Sequence, residues 1–147
     1  MGRRSGNGRR AVLRVVDANA NRALEGIRVC EEIVRFHLES PRVFGAIRSL
    51  RHAIARTVRA LPVSAAELVE SRASRQDIGR RASASRVDSL ERLLLINCQR
   101  AKESLRTLEE CTRLIAPMQT AAFQRLRFRL YGVERDLLRA VATLRHH

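Results

Sequence analysis

The sequence predicts an all-α fold, in which a duplicated helical hairpin forms an antiparallel four-helix bundle with a short extra helix and one long loop. Three observations support this prediction. Hydrophobic residues make up 45% of the chain and aromatic residues only 3%, and a core of aliphatic side chains suits helices better than a β-sandwich. Apolar residues recur three and four positions apart along most of the 147 residues, as on one face of a helix. Residues 19–36 and 97–114 are identical at eight of 18 positions, which indicates an internal repeat.

The repeat defines the expected organisation of the chain. Residues 1–10 contain four Arg among Gly, Ser and Asn without apolar periodicity, which predicts a basic disordered tail. Residues 11–147 are expected to form a single helical domain, in which the repeat covers 12–61 and 87–145. Residues 62–86 connect the two copies as a linker loop, and loops of that length are often functional or disordered.

The first hairpin is predicted to begin with a long helix from about Val12 to Leu38. Ser40 and Pro41 then supply an N-cap and a first-turn proline, and a second helix runs to about Leu61. The apolar positions of these two helices follow helical spacing. They are Val16, Ala20, Ala23, Ile27, Cys30 and Val34 in the first helix, and Val43, Ile47, Leu50, Ile54 and Val58 in the second.

The second hairpin follows the linker loop, where a capping-box pattern from Ser64 to Glu67 predicts one short helix. The third long helix is expected from Val87 to Ile115, with Ser85 as its cap, and a fourth helix opens at Pro117. Short turns that contain proline make consecutive helices antiparallel neighbours. The apolar face of the fourth helix consists of Phe123, Leu126, Leu130, Val133, Leu137 and Val141. An FxxxR pattern occurs in the second helix of each hairpin, at Phe44 with Arg48 and at Phe123 with Arg127.

Charge and cysteine content narrow the classes of function. The chain has 28 Arg, a single Lys and a net charge of +14, which favours polyanionic partners such as phosphorylated metabolites, nucleic acid or a membrane surface. Genome composition explains the same arginine bias equally well. Three cysteines without a CxxC pair indicate neither a disulfide framework nor a metal framework, and fit a reducing cytosol. No long apolar run or secretion signal is present, so a cytoplasmic protein without a membrane span is expected.

Both copies of the repeat carry the polar pattern NxxRAxExxRxxEExxR. At about 100° per residue, one stripe of the first helix holds Asp17, Asn21, Glu25, Arg28, Glu32 and Arg35, and the equivalent stripe holds Gln99, Glu103, Arg106, Glu110 and Arg113. Glu and Arg at this spacing form ion-pair ladders, worth about 0.2–0.5 kcal/mol per pair. Alternatively, the stripe forms a binding surface, because the charged positions match between the copies while the apolar ones differ. Both interpretations stay open.

Four further motif residues, Asn19, Arg22, Asn97 and Arg100, lie near the start of each copy. A guanidinium offers a fork of donors that matches phosphate, and an asparagine adds neutral donors. If the hairpins pack about a pseudo-two-fold axis, these groups converge on one anionic ligand. The alternative is helix capping and surface solvation.

Three further acidic or basic residues lie outside the two polar stripes. Glu31 and Glu109 fall close to the apolar stripe, where a carboxylate is costly unless it pairs with an arginine or binds a cation. His52, on the second helix, is a candidate acid, base or phosphate donor, although a lone histidine is more often a structural partner. Phosphate-loop, Rossmann, zinc-protease and serine-hydrolase motifs are absent, which argues against those enzyme classes.

The chain resembles a helical domain that is fused to thiamine-phosphate synthase in some bacteria and also occurs as a standalone protein. The resemblance rests on RVVDANANRALEGIRVCEEIVRF at Arg14–Phe36, on SLRHAI, on RASRQDIG in the loop, and on NCQRAKESLRTLEE with LRFRLY behind it. It covers nearly the whole chain after the tail. In one departure, family members commonly have an RDT-like stretch where this chain has Arg72, Ala73 and Ser74, with Asp77 and Gly79 retained.

The resemblance implies a standalone hydroxymethylpyrimidine phosphate kinase, which uses ATP and Mg²⁺ to make the pyrimidine diphosphate for thiamine synthesis, with a functional link to thiamine-phosphate synthase. Such chemistry needs dense positive charge around the phosphates and one or two carboxylates for the metal. The expected catalytic residues are Glu25, Arg28, Glu32 and His52. Those expected to bind substrate or phosphate are Asp17, Asn19, Asn21, Arg22, Arg72, Asn97, Arg100, Glu103 and Arg106. Those expected to hold Mg²⁺ are Asp77, Glu25 and Glu103.

Other functions remain open alternatives. The departure at Ala73 is compatible with a catalytically inactive module that binds the ligand for regulation. The net charge of +14 is compatible with a nucleic-acid-binding protein, although with few aromatics for stacking such binding is expected to be weak, non-specific and salt-dependent. A homodimer that shares an apolar face of the bundle is a further hypothesis.

Overall fold

Five α-helices make up most of the computed structural model, which describes residues 2–80 and 85–145. Within those two ranges no β-strand occurs, so the predicted all-α class is confirmed. No helix among the described residues is long and apolar enough to cross a membrane. The helices are α1 (Gly2–Ile33), α2 (Pro41–Arg59), α3 (Ala65–Ser71), α4 (Leu90–Ile115) and α5 (Thr120–Leu144).

The four long helices pack as a bundle in which α1 contacts α2 and α4, and α5 contacts the same two helices from the opposite corner. The short α3 packs on α1. Because the Cys30 Sγ donates to the Leu94 carbonyl at 3.5 Å, while the His37 Nε2 lies 2.9 Å from a Glu91 carboxylate oxygen, α1 and α4 run antiparallel. The two helices that carry the repeated motif are thus direct neighbours.

The core consists of aliphatic side chains from all four long helices, with Phe123 as its largest member. Every apolar position predicted for the first helix, from Val16 to Val34, is buried, and so are all six predicted for the fourth. In α2 the predicted face is buried through Ile54, whereas Val58 is half-buried. Periodicity therefore identified the inward faces correctly, as expected when a few aliphatic stripes supply most of the buried area.

The two hairpins differ at their turns. In the first, a π-helical turn at Val34–Leu38 and a left-handed Glu39 (φ 52°) lead to Ser40, whose hydroxyl caps α2. In the second, α4 ends at Ile115 and a 3₁₀ turn at Pro117–Gln119 leads directly into α5. The π-helical turn makes the first hairpin longer.

This difference in length changes which arginines correspond. Glu31 pairs with Arg51, 20 residues later, whereas Glu109 pairs with Arg127, 18 residues later. The structural counterpart of Arg127 is therefore Arg51, and the FxxxR match that aligned Arg48 with Arg127 is wrong because it ignored the extra residues in the first turn.

The ends of several elements also differ from the prediction. Residues 2–10, predicted as a disordered tail, form the first turns of α1. Ser89, and not Ser85, caps α4 by accepting a hydrogen bond from the Arg92 amide at 3.1 Å. The capping box at Ser64 is confirmed and starts α3. The linker contains a 3₁₀ turn at Ser74–Gln76, and its positions 81–84, like the last two residues of the predicted domain, lie outside the described residues.

Candidate functional site

Two copies of the polar motif line one cavity between α1 and α4, of about 590 Å³. We call it the repeat cavity. Five residues from each helix line it, and every one from α1 has its motif equivalent from α4, as expected for a pseudo-two-fold axis between antiparallel helices. The pairs are Asn19 with Asn97, Arg22 with Arg100, Glu25 with Glu103, Gly26 with Ser104, and Val29 with Thr107.

Gly26 marks the closest approach of the two helices. A Cβ at this position would lie 3.0 Å from the Asn97 carbonyl oxygen and 3.6 Å from the Ala101 Cβ. Its equivalent, Ser104, is also small and is buried. Small residues at a helix crossing let the backbones approach closely, and this brings the polar side chains on either side of Gly26 into one space.

The two asparagines of the cavity are buried and held alike. The Nδ2 of Asn19 donates to the Val15 carbonyl and that of Asn97 donates to the Leu93 carbonyl, both at 2.9 Å. Each hydrogen bond spans one turn of the asparagine's own helix and fixes the amide. The amide oxygens find no protein donor among the described residues, so they remain available as acceptors for a ligand.

The charged residues of the repeat cavity are more exposed. Within the described ranges, neither Arg22 nor Arg100 forms an ion pair, and neither does Glu25, while Glu103 accepts a hydrogen bond from the Gln99 amide at 3.0 Å. Two guanidinium groups and two carboxylates therefore face the same space without neutralising one another through direct contact. Such a set can bind phosphate oxygens and a divalent cation together.

A second cavity of about 590 Å³ lies between α1 and the segment after α3. We call it the loop cavity. It shares Asn19 and Arg22 with the repeat cavity, so the two spaces adjoin. Its other lining residues are Ala11, Arg14, Val15, Asp17, Ala18, Asn21, Arg72, Ala73 and Asp77.

An ion pair anchors the loop at this cavity. The Nε and one terminal nitrogen of Arg72 donate to the two carboxylate oxygens of the buried Asp17, both at 2.8 Å, and the Asn21 amide lies 3.5 Å from the same carboxylate. The hydrogen bonds raise the pKa of Arg72 above its ordinary value. At the equivalent position of α4 stands Leu95, so only the first copy of the repeat has this anchor.

The anchor joins two of the residues that were expected to bind substrate. Asp17 and Arg72 were expected to bind substrate, but the structure pairs them with each other across 55 residues of chain. A carboxylate that already accepts two charge-assisted hydrogen bonds gains little from a further donor. Both residues line the loop cavity, yet their main contact is with each other.

Four other predicted site residues, Arg28, Glu32, His52 and Arg106, line neither cavity. Arg28 contacts Glu31 and Glu32 at 3.5 and 3.6 Å, and Arg106 makes the equivalent contacts in the second copy. His52 is exposed on α2. After Gly26, Arg28 and Glu32 of the stripe therefore form part of an ion-pair ladder. Before Gly26, Asp17 and Asn21 line the loop cavity and Glu25 lines the repeat cavity.

Glu31 and Glu109 are buried and each accepts two hydrogen bonds from an arginine of the following helix, Arg51 or Arg127. The expectation that these carboxylates pair with arginine is confirmed. The hydrogen bond that Arg127 donates to Glu109 raises the pKa of Arg127, and a hydrogen bond to the Tyr131 hydroxyl adds a smaller contribution in the same direction. These pairs link the helices of each hairpin and lie outside both cavities.

The three predicted metal ligands fall into two places. Glu25 and Glu103 line the repeat cavity, whereas Asp77 lines the loop cavity, where its carboxylate accepts a hydrogen bond from the Gly79 amide at 2.8 Å. No group of three His, Cys, Asp or Glu suited to a metal occurs among the described residues. Mg²⁺ commonly binds through one or two carboxylates plus substrate phosphates, and Glu25 with Glu103 fits that mode.

Sequence reasoning missed several lining residues because they are small or apolar. Gly26 and Ser104 occupy equivalent positions of the repeat, as do Val29 and Thr107, and this equivalence was the available signal. Arg14 and Ala18 carried no signal, because their role depends on where the loop packs.

Burial raises the pKa of all three cysteines, that of Cys98 to about 12, so none is an activated thiolate.

Comparison with known proteins places this chain in a family. Residues 14–136 match the ThiD2 family. The chain is 37% identical over 132 residues to a thiamine-phosphate synthase of Synechocystis sp., covering 87% of this chain and 36% of that relative. It is 35% identical over 130 residues to a thiamine-phosphate synthase of Nostoc sp., covering 86% of this chain and 35% of that relative. It is 32% identical over 138 residues to one of Rhodopirellula baltica, covering 92% of this chain and 36% of that relative. The chain thus spans about a third of the length of these relatives. No solved structure matches it significantly.

Proposed function

Because the chain belongs to the ThiD2 family, we propose that it acts in thiamine biosynthesis as a small-molecule kinase. The reaction proposed is transfer of a phosphoryl group from ATP to hydroxymethylpyrimidine phosphate, which gives the pyrimidine diphosphate and ADP. The names of the relatives support the pathway. The observation that carries the reaction type is the repeat cavity, in which two arginines, two carboxylates and two amides meet from the two copies of one motif.

The composition of the repeat cavity suits transfer between two phosphates. Donor and acceptor are both anionic, so positive charge must surround the reacting oxygens before they approach. Arg22 and Arg100 project from opposite helices into the same space and form no ion pair within the described residues. Their guanidinium groups can each bind a phosphate through two hydrogen bonds.

The two carboxylates suit a divalent cation that arrives with the phosphates. Glu25 and Glu103 are the residues that would hold Mg²⁺, and when bound the ion supplies neutralisation of phosphate charge during transfer. The amide oxygens of Asn19 and Asn97 can accept hydrogen bonds from neutral donor groups of a ligand. These roles use only residues that line the cavity.

The test is turnover of the purified protein with ATP, Mg²⁺ and hydroxymethylpyrimidine phosphate, followed by phosphorus NMR. We expect equal amounts of ADP and pyrimidine diphosphate. Glu25→Gln and Glu103→Gln should reduce turnover strongly, whereas Glu32→Gln, which removes a carboxylate from the ladder of the same helix, should leave it nearly unchanged. No turnover by a folded protein, or equal losses in Glu25→Gln and Glu32→Gln, would refute the proposal.

One observation favours a second candidate, a module that binds the pyrimidine phosphate without phosphorylating it. Ala73 lines the loop cavity at the position where similar domains commonly carry an aspartate. If that carboxylate is required for turnover, the chain should bind the ligand in calorimetry without converting it, and Ala73→Asp should restore conversion. Turnover by the unaltered chain at a rate that Ala73→Asp does not increase would exclude this candidate.

A further inference from the structure

The two adjoining cavities differ in chemistry. The repeat cavity is lined mainly by charged and amide side chains. Whereas Val29 is the one apolar side chain that lines the repeat cavity, the loop cavity combines four apolar side chains with seven polar or charged ones, and its Val15 is 39% exposed. Its apolar lining residues are Ala11, Val15, Ala18 and Ala73. Apolar side chains beside polar groups suit a flat organic ring, because the faces of the ring contact the apolar side chains while its polar edge forms hydrogen bonds.

The ion pair between Asp17 and Arg72 also suits the loop cavity to a ring. Because Arg72 neutralises Asp17 through two hydrogen bonds of 2.8 Å, this pair brings no net charge to the loop cavity. The same bonds fix the plane of the Arg72 guanidinium, which lines the cavity, and guanidinium groups stack on aromatic rings. Asn21 and Asp77 also line the cavity and offer an amide and a carboxylate to the polar edge of a ring.

The shared lining residues connect the two spaces. Asn19 and Arg22 border both cavities, and Arg22 forms no ion pair within the described ranges. Each cavity, at about 590 Å³, falls within the roughly 300–1,000 Å³ typical of sites for one small molecule. A ligand with a ring and a phosphate can therefore place the two groups on opposite sides of Arg22.

We propose that the loop cavity is a subsite for a planar nitrogen heteroaromatic ring, and that the phosphate attached to this ring reaches past Arg22 into the repeat cavity. The inference rests on the proposed function, because it takes the ligands to be ring-bearing phosphates. A substituted pyrimidine and an adenine share the required chemistry. At the equivalent place in the second copy lies a smaller cavity of about 370 Å³, where Leu95 replaces Asp17 and no ion-pair anchor forms among the described residues. The pseudo-symmetric site therefore has one anchored ring subsite and two phosphate-binding arginines.

Calorimetry with Ala18→Leu tests this assignment, because the larger side chain fills the loop cavity and leaves the repeat cavity intact. The probes are hydroxymethylpyrimidine phosphate, ATP, and tripolyphosphate, which has no ring. We expect Ala18→Leu to weaken binding of at least one ring-bearing probe by about tenfold or more and to leave tripolyphosphate unchanged. Loss confined to the pyrimidine or to ATP identifies which ring occupies the subsite.

A control and a second variant complete the design. Ala121→Leu makes the same change at an exposed position of α5 and should bind all three probes like the unaltered chain. Ala73→Leu fills the cavity from the loop side and should reproduce the effect of Ala18→Leu if the latter folds poorly. Equal weakening of tripolyphosphate, unchanged affinity for both ring-bearing probes, or no binding of any probe by the unaltered chain would overturn the subsite. These are binding measurements, so they separate a failed subsite from a failed kinase, which would bind without turnover.

Discussion

Removing the arginine of the buried pair between α4 and α5 should destabilise the protein far more than removing an exposed one. Arg127 donates two hydrogen bonds to Glu109, and the two side chains are 11% and 7% exposed. Leaving one buried charge without its partner costs about 3–5 kcal/mol. Because Arg106 also lies 3.4 Å from Glu109, we expect Arg127→Met to cost about 3 kcal/mol, the low end of that range.

This cost corresponds to a fall in Tm of about 6–12 °C for a chain of this size. Urea and thermal denaturation followed by circular dichroism measure both quantities. Arg113→Met is the control, because Arg113 is 66% exposed and pairs with Glu110 at the surface, where a pair contributes about 0–1 kcal/mol.

A double variant separates an unpaired charge from lost packing. Glu109→Met with Arg127→Met removes both charges, and replacing a buried pair with apolar side chains is often neutral or stabilising. We therefore expect the double variant to be more stable than Arg127→Met alone. If Arg127→Met costs no more than Arg113→Met, or if the double variant is less stable than Arg127→Met, the buried pair does not have the energetic role assigned to it.

Individual contacts give further expectations. Alanine favours a helix over glycine by about 1 kcal/mol. A Cβ added at Gly45 would meet nothing within 4 Å, whereas one added at Gly26 would meet a backbone oxygen at 3.0 Å. Thermal denaturation should therefore show that Gly45→Ala stabilises the protein and that Gly26→Ala destabilises it. Asp17→Asn weakens the loop anchor, so trypsin should cleave after the loop arginines several-fold faster. The hydrogen bond from His37 lowers the pKa of Glu91, so its carboxylate contributes stability above the unfolded pKa of about 4.3 and loses it as pH falls through the folded pKa. Glu91→Gln should therefore lower Tm more at about pH 6 than at about pH 3.

Each expectation has a contradicting outcome. Equal stabilisation by both glycine substitutions would show that α1 and α4 are not in close contact at Gly26. Unchanged trypsin cleavage of Asp17→Asn, relative to the exposed control Glu67→Gln, would show that the ion pair does not hold the loop. A Tm difference for Glu91→Gln that grows as the solution becomes more acidic would contradict the direction of its pKa shift.

The helical faces could be predicted from the sequence because each depends only on local spacing. Val16 and Phe123 each belong to a row of apolar residues spaced three and four positions apart, which continues with Ala20 after Val16 and with Leu126 after Phe123. The division of the polar stripe could not be predicted in this way. Glu25 and Arg28 lie on one stripe of α1, and only the crossing with α4 near Gly26 decides that the first faces a cavity and the second joins a ladder.

Long-range pairing was likewise hidden from local patterns. The partner of Asp17 lies 55 residues away in a loop without periodicity, and no spacing rule connects the two. The choice of Arg51 over Arg48 as the partner of Glu31 depends on the π-helical turn between α1 and α2, which shifts the register of the second helix. The position of Asn19 opposite Asn97 was conditional on a pseudo-two-fold axis, and the antiparallel packing of α1 on α4 provides one.

Calorimetric titration with hydroxymethylpyrimidine phosphate tests most directly whether the two copies of the motif form one phosphate-binding site. Losing a charged hydrogen-bond partner should weaken binding by about tenfold or more in Arg22→Ala and also in Arg100→Ala. Arg28→Ala and Arg106→Ala, which remove the same charges from the ladders, should stay within about twofold of the unaltered chain. Equal losses in all four variants, or a loss in Arg22→Ala with none in Arg100→Ala, would contradict a site built from both halves.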